Sequence, residues 1–459
     1  MTVRDIRTMA PLDRRTFFAA GAGASLIAAS TSFATPLHKG HSPDWRDESW
    51  TNRYPQLSLK ERDRRLELAR KLMVAEGLDC LVIASPTQSH DFVGHYFSNE
   101  ATPTVIIPKD GEPIAFQDNV SSPAAQRDFE LAQALYPERW IKDWRFNEGA
   151  PGIAAALSEM GLGKARVGCT GLTALWPVSP YMVNGGAPWN KLPLTHSLMT
   201  LLPQFEWVDV WSSLLPAIAV KSDEELEQYK KAAHLAERAT QLFFDNLRVG
   251  GTEADAMAHA AYDIFRHGAW TPSGGSPYIS TRPLAESDVV TNEIIVYVGA
   301  TEAQAGWTSC MGQPGVTMTK LIDAAHMSYE LGLRAVRPGL ALRELQEIMS
   351  PPFRKLNAWN NAPLFHGLSP IFTNGQTSRF VEQGIPSLRQ RYFSKHDGEL
   401  PYSPTFGADI KLQPGMAIHL EPNGQIGRDK VFLGANLLVT ADGAEEYSAS
   451  SRRVHMQTA

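Results

Sequence analysis

Two short stretches in the second half of the chain carry residues suited to acid/base chemistry. His366 stands in FHGLS (365–369), and His419 and Glu421 alternate in MAIHLEP (416–422). A histidine exchanges a proton near neutral pH, and a neighbouring carboxylate orients its ring or stabilises its cation. Because strand residues two apart share a face, His419 either lines the same site as Glu421 or packs beside it.

A third stretch, IIVYVGATEAQAGWTSC (294–310), predicts a β-hairpin that turns at Gly299-Ala300. Its two strands carry Tyr297 and Cys310. The phenol of Tyr297 could donate a hydrogen bond to negative charge that develops during a reaction. The thiol of Cys310 is a zinc ligand type, as are histidine and glutamate, so a Cys–His–Glu zinc site is an alternative.

The elements that must position these residues alternate between helices and strands. An amphipathic helix begins at Ser58 in 58–77, a buried strand follows at 78–85, and a hairpin at 102–116 turns at Asp110-Gly111. In the second half, Ser222 and Glu225 predict a capping box for a helix that ends near residue 247.

Further helices are predicted from Thr252 to about 267, near 317–336 and near 341–356, with two strands closing the chain after about residue 410. The pattern predicts a mixed α/β (α+β) fold. We divide the chain into a signal peptide (1–34), a linker (35–57), an α/β domain (58–210) and a catalytic domain (211–459).

The first residues resemble a twin-arginine export signal. In LDRRTFFAAGAGASLIAASTSFA (12–34), Arg14-Arg15 precede a short run rich in Gly, Ala and Ser, with a cleavage site after Ala34. We expect export of the folded protein to the periplasm, with no membrane contact after cleavage.

Composition excludes several classes of protein. The net charge of -6 and the lack of a basic stripe argue against a nucleic-acid partner. The three cysteines, an odd number, argue against a disulfide framework.

The order of elements and four motifs resemble the creatinase/prolidase/aminopeptidase P family, whose catalytic domain has the pita-bread fold. The resemblance covers about residues 58–459 and rests on four segments: KSDEELEQYKKAA (221–233), the hairpin at 293–310, FHGLS (365–369), and LQPGMAIHLEP (412–422) with VFLGANLLVTADG (431–443). It implies an N-terminal creatinase-like domain, a pita-bread domain and a homodimer.

Metallopeptidases of this family hold two metal ions with five ligands, because close cations need several carboxylates between them. The resemblance places these ligand positions at Tyr297, Cys310, His366, Glu421 and Gly434. Only His366 and Glu421 keep the family's residue type, so it implies no metal and no cofactor. Creatinase is a metal-free precedent that hydrolyses a C–N bond.

The resemblance adds further site residues. His396 in SKHDG lies 25 residues before Glu421, where the family has a second histidine, although a rival register places Thr373 there. His95 lies where family dimers reach into the partner's site. We assign His366, Glu421, Tyr297 and His396 to catalysis, and the substrate-binding set is Cys310, Trp307, His419 and His95.

The substrate is less constrained than the reaction. MGQP (311–314) lacks the acidic residue with which creatinases hold a guanidinium group, and eleven tryptophans suggest stacking on an aromatic ligand. We predict a metal-independent enzyme that cleaves a C–N or C–C bond of a small molecule, as a hydrolase or an aldehyde-releasing lyase. The alternatives are a metallopeptidase with an atypical site and a non-catalytic binding protein.

Overall fold

The computed structural model describes residues 57–84, 92–100, 103–118, 139–172, 193–273, 279–360, 362–370, 409–447 and 452–457. The predicted signal peptide, nearly all of the predicted linker, and His396 lie outside the described residues, so those predictions stay predictions.

The first half of the described chain builds one mixed sheet flanked by helices. Its elements are α1 Leu59–Glu76, β1 Cys80–Ile83, α2 Val93–Ser98, β2 Thr104–Pro108, β3 Ile114–Gln117, β4 Asp143–Phe146, α3 Gly149–Glu159, β5 Arg166–Cys169, α4 Pro193–Leu201, β6 Glu206–Asp209 and α5 Trp211–Ile218. The strand order is β4-β3-β2-β1-β5-β6. Strand β1 pairs antiparallel with β2 and parallel with β5.

Helix α1 forms where the sequence predicts it. The Ser58 side chain accepts a hydrogen bond from the Glu61 N–H, and Gly77 ends the helix in the left-handed conformation at φ 65°. The buried strand β1 then presents alternate residues to the two faces of the sheet. Leu81 and Ile83 pack with α1, whereas Cys80 and Val82 pack with α3.

The second half contains the remaining elements: α6 Asp223–Asn246, α7 Glu253–Arg266, β7 Val289–Val298, β8 Thr301–Cys310, α8 Val316–Ala335, α9 Leu342–Met349, α10 Pro351–Lys355, β9 Phe365–Gly367, β10 Ala417–Leu420, β11 Asn423–Ile426, β12 Asp429–Phe432, β13 Ala435–Val439, β14 Ala444–Glu446 and β15 His455–Met456. The predicted capping box of α6 is present, with Ser222 and Glu225 bonded reciprocally.

One helix prediction is wrong in its extent. The helix expected near 341–356 breaks at Ser350 into α9 and α10. Two consecutive prolines, Pro351 and Pro352, cause the break because neither has an N–H to continue the hydrogen-bond ladder of α9.

Two sheets face each other in this half. Strands β7 and β8 form the predicted hairpin, in which Val298 pairs with Thr301 across the Gly299-Ala300 turn. The second sheet has the order β14-β13-β10-β9 and is antiparallel. The hairpin packs its outer face on α6 and α7, and the second sheet packs its outer face against α8 and α9. The faces that the two sheets turn toward each other, which we call the inner faces, are therefore the ones that carry the polar side chains described below.

A buried charge cluster joins α1 to the start of α6. The Arg65 guanidinium lies 2.7 Å from Glu61 and 3.3 Å from Glu225, and all three side chains are at most 5% exposed. Close by, the Lys221 ammonium donates a hydrogen bond to the Ser369 carbonyl at 2.7 Å. These contacts fix α1 against the segment that follows His366. In the described part of the chain, no helix is long and apolar enough to span a membrane.

Candidate functional site

Three polar side chains form a row across the second sheet. His419 on β10 pairs with His366 on β9 and with Asn436 on β13, so all three lie side by side on one face. The rings of His366 and His419 are 5.3 Å apart. The neighbouring residues Ile418, Leu420 and Leu437 point to the opposite face, into the apolar core. Strand alternation thus selects which residues line the inner face.

Glu421 completes the row because it follows His419 by two residues. Its backbone N–H donates to the Leu364 carbonyl at 2.8 Å, which continues the pairing beyond β10. The carboxylate Oε2 lies 3.1 Å from His366 Nε2, and the two side chains are 6% and 1% exposed. The structure therefore brings together the predicted histidine and glutamate as a buried pair, which we call the His366–Glu421 dyad.

The dyad fixes how the histidine can carry its protons. His366 Nδ1 lies 3.0 Å from the Gly367 carbonyl, an acceptor, so Nδ1 carries a proton. Nε2 faces the Glu421 carboxylate, so a proton between these two atoms is bonded either to His366 Nε2 or to Glu421 Oε2. A buried pair that shares one proton at this position can accept or return a proton from a bound molecule.

The inner face of the hairpin supplies the opposite wall. Glu293, Ile295 and Tyr297 alternate along β7, and Glu302 and Gln304 lie opposite them on β8. Tyr297 pairs directly with Glu302. The Gln304 side-chain amide donates to the Glu302 carboxylate. The Gln304 backbone N–H donates to the Asn436 side-chain oxygen at 2.9 Å, which connects the hairpin to the second sheet.

Tyr297 lies on the inner face, but its hydroxyl already has a partner. Burial raises the pKa of Tyr297, and the carboxylates of Glu302 and Glu293 raise it further, with a side-chain hydrogen bond to Glu302. The phenol therefore stays protonated and donates to Glu302. Its ring stacks on Trp270 at 4.2 Å and lies 5.2 Å from Phe92. The proposed donation from Tyr297 to a substrate requires that the hydroxyl leave Glu302.

His419 occupies the space that a side chain at position 434 would fill. A Cβ added to Gly434 would lie 2.3 Å from His419 Nε2, far inside van der Waals contact. The ring is completely buried, and burial first, then the charge of His366, lowers the His419 pKa well below its usual range, with Asn436 opposing the change. His419 is therefore a neutral imidazole at neutral pH.

The five positions that the resemblance assigns to metal ligands do not fit the two metal ions of the family's peptidases. Gly434 has no side chain, and the His419 ring fills the space where the family's last glutamate would stand. Cys310 is 1% exposed and packs among apolar residues such as Met318 and Leu321. Burial raises the pKa of its thiol, which favours the form that does not bind metal. The five-ligand set implied by the resemblance is therefore not available.

The placements of Trp307 and Cys310 do not agree with the substrate-binding roles predicted for them. Trp307 lies on the outer face of β8, fully buried, with its ring 4.7 Å from that of Phe243 on α6. Its neighbours in the alternation, Ala303 and Ala305, share that apolar face. Cys310 lies in the core described above. Neither side chain joins the dyad. Strand alternation places Trp307 on the apolar outer face, whereas Cys310 shares the face of Glu302 and Gln304 but lies at the far end of β8, where it packs in the apolar cluster of Met318 and Leu321.

His95 lies at the junction of the two halves rather than in the polar row. It lines a small cavity of about 20 Å³ with Arg65, Phe92, Ser369 and Pro370, close to the hairpin turn. That volume holds about one water molecule. Burial, then the charge of Arg65, lowers the His95 pKa to about 3. His95 is neutral at pH 7, so in this protein it can take part in binding only as a hydrogen-bonding group.

The sequence analysis missed Glu293, Glu302 and Asn436 as members of this site. The signal was present for the first two, because Glu293 shares its strand face with Tyr297 and Glu302 follows the turn directly opposite Tyr297. Asn436 could not be found without the pairing of β10 with β13.

Comparison with known proteins places this geometry in context. Residues 227–441 match metallopeptidase family M24. The mitochondrial methionine aminopeptidase 1D of Danio rerio is 24% identical over 239 residues, which cover 47% of this chain and 61% of that protein. The matched region spans about three fifths of the first curated relatives.

Solved structures share the fold over most of the chain. The prolidase of Thermococcus sibiricus has a TM-score of 0.61 at 13% identity and covers 87% of this chain and 100% of its own. The X-Pro aminopeptidase of Thermotoga maritima MSB8 has a TM-score of 0.60 at 14% identity and covers 86% of this chain and 99% of its own. The predicted mixed α/β fold with a pita-bread domain is confirmed.

Proposed function

Because residues 227–441 belong to metallopeptidase family M24, we propose that this chain is an enzyme of the family's fold that works without the family's two metals. The related proteins named above are hydrolytic enzymes. We propose that this chain cleaves a C–N or C–C bond of a small molecule, an aromatic one in our interpretation, through the His366–Glu421 dyad.

The observation that carries the proposal is the dyad in its setting. His366 Nε2 and Glu421 Oε2 are 3.1 Å apart in a buried site, while the 434 position offers no ligand and is crowded by His419. A carboxylate beside a buried imidazole stabilises the imidazolium, which makes the histidine an effective acceptor of one proton.

Two reactions use this pair in the same way. In a hydrolysis, His366 accepts a proton from water as the oxygen attacks, the C–N bond breaks, and the proton returns to the leaving nitrogen. In a lyase reaction, His366 accepts the proton of a substrate hydroxyl and the C–C bond breaks to release an aldehyde. The electron pair stays on the other carbon, which then receives the proton. Proton shuttles of this kind contribute about 10²–10⁴-fold to rate.

A peptidase with an atypical metal site and a non-catalytic binding protein are the alternatives. The experiment that separates them is turnover of small N-alkyl and aromatic compounds and of Xaa-Pro dipeptides, with and without EDTA. Our proposal requires a compound whose turnover survives the chelator. Dipeptide turnover that EDTA abolishes would favour the peptidase, and tight binding without any turnover would favour the binding protein.

We further propose that the protein acts in the periplasm after twin-arginine export, as a homodimer, on a small-molecule substrate, without a nucleic-acid partner and without membrane contact once the signal is removed. Export is supported by Arg14-Arg15 with the short small-residue run after them, the lack of a nucleic-acid partner is supported by the net charge of -6, and the homodimer is supported by the family resemblance alone. Fractionation of cells and the molar mass in solution test the first two.

A further inference from the structure

The inner faces of the two sheets bring together a set of metal-ligand types that differs from the family's. Glu293 on the hairpin and His366 and His419 on the second sheet each offer one ligand atom, and these atoms lie within 4.8 Å of one another. His419 Nε2 and Glu293 Oε1 are 3.9 Å apart. Two imidazoles and one carboxylate are a donor set that divalent transition metals prefer.

The position of His419 is a second observation that points to a ligand. Its ring is fully buried, and neither ring nitrogen reaches a partner at full hydrogen-bond geometry in the described structure, although the Asn436 side chain on the paired strand is near enough to raise the His419 pKa slightly. A buried polar atom without a partner costs about 1–3 kcal/mol. His419 Nε2 lies 3.9 Å from Glu293 Oε1, and in the tautomer protonated at Nδ1 its lone pair would bind an ion held between the two atoms.

The surroundings of His366 suit the same ion. Its Nδ1 faces the Gly367 carbonyl at 3.0 Å, so Nε2 is the nitrogen that can bind an ion, once the proton shared with Glu421 has left it. A second hydrogen bond of this kind is usual for histidines that bind metal. Glu421 Oε2, 3.1 Å from His366 Nε2, stands beside the position as a further oxygen.

We propose that Glu293, His366 and His419 form a site for a single transition-metal ion of the zinc type. Ligand atoms about 2.1 Å from a tetrahedral zinc ion are about 3.4 Å apart. Ligand atoms that lie within 4.8 Å of one another therefore reach this geometry when each moves by less than about 1 Å. The site is distinct from the family's two-metal set, since Glu293 and His419 occupy none of the five family positions.

Binding at this site has a consequence for the reaction, which rests on the function proposed above. The ion takes the lone pair of His366 Nε2, the atom that must accept the proton. Zinc therefore acts as a reversible inhibitor, and EDTA restores activity.

The test is zinc titration of EDTA-treated, full-length protein, without any substrate, in competition with a chromogenic chelator. We expect one ion per chain for wild type. Glu293→Gln and His419→Ala should each weaken binding by at least about 10–100-fold, the loss seen when even a supporting residue is removed. His259→Ala, on the exposed face of α7, is the matched control and should bind as wild type does.

Two outcomes would overturn the site: a wild-type protein that binds no zinc, or Glu293→Gln and His419→Ala variants that bind it as wild type does. If His419→Ala does not fold, Glu293→Gln decides alone, because its side chain is 27% exposed. Substituting Co²⁺ gives an independent reading, since a four-coordinate ion has strong visible absorption and a hydrated one does not. Because no substrate is used, failure here is separate from failure of the proposed function.

Discussion

Replacing Gly434 with alanine should displace the His419 ring from the inner face. The new Cβ would lie 2.3 Å from His419 Nε2, 2.8 Å from Cε1 and 3.0 Å from the Gly306 nitrogen. The backbone cannot easily yield, because the Gly434 carbonyl accepts a hydrogen bond from the Gly306 N–H. The buried ring must therefore move.

We expect Gly434→Ala to lower the free energy of unfolding by about 1–3 kcal/mol, the usual cost of overpacking a tight core. Urea unfolding measures it as a lower midpoint with an unchanged m-value. Gly163→Ala is the matched control, since a Cβ there meets nothing within 4 Å. It should change stability by less than about 0.5 kcal/mol.

The decisive comparison repeats the substitution in a His419→Ala background. Without the ring, the clash is removed except at the Gly306 nitrogen, so Gly434→Ala should cost about 0.5–3 kcal/mol less than it does in wild type. The zinc affinity of the single Gly434→Ala variant should fall as well. If Gly434→Ala costs the same in both backgrounds, the ring does not fill that space and our explanation of the lost ligand is wrong.

Three further predictions concern the core, the charge cluster and export. Trp307→Ala should cost about 3–5 kcal/mol in urea unfolding without a selective effect on KM, because the ring is buried in the α6 core; a raised KM at unchanged stability would contradict this. Arg65→Met should cost up to about 3–5 kcal/mol, because it removes the buried one of the two arginines that pair with Glu61 and Glu225 and leaves only the more exposed Arg64. At Glu61, burial raises the pKa but the hydrogen bonds and charges of the neighbouring arginines outweigh it, so the pKa is lowered. The stabilisation that ionised Glu61 contributes is fully present above its unfolded-state pKa and is lost as the pH falls through its folded-state pKa. The loss of unfolding free energy caused by Arg65→Met should therefore be smaller in acid than at neutral pH, and an equal loss at both pH values would refute this. Arg14→Lys with Arg15→Lys should leave the precursor in the cytoplasm, as cell fractionation would show, and normal periplasmic accumulation of that double variant would argue against twin-arginine export.

Much of the fold followed from local rules in the sequence. The capping box at Ser222 and Glu225 and the Gly299-Ala300 turn depend on neighbouring residues alone, so they could be predicted. The same holds for the inward face of His419 and Glu421, which strand alternation determines. The helix break at Ser350 also depends on neighbouring residues alone, because Pro351 and Pro352 follow it, so the sequence contains the signal for it.

The rest of the site depends on which strands meet. That His366 pairs with His419 follows from the register of β9 and β10, whose sequences are about fifty residues apart. That Gly434 admits the His419 ring follows from the pairing of β10 with the strand that begins at Ala435. Trp307 looked like a ligand-binding aromatic until its strand face was known. Such long-range facts are not encoded in short motifs.

The most direct test of the central claim is a double-mutant cycle on the dyad, carried out in EDTA with a substrate from the screen described above. His366→Ala should reduce kcat by about 10²–10⁴-fold, and Glu421→Gln should also reduce it, because an amide stabilises an imidazolium less than a carboxylate does. The double variant should lose less than the product of the two effects, since the residues act as one unit. Turnover by His366→Ala at the wild-type rate would contradict the account.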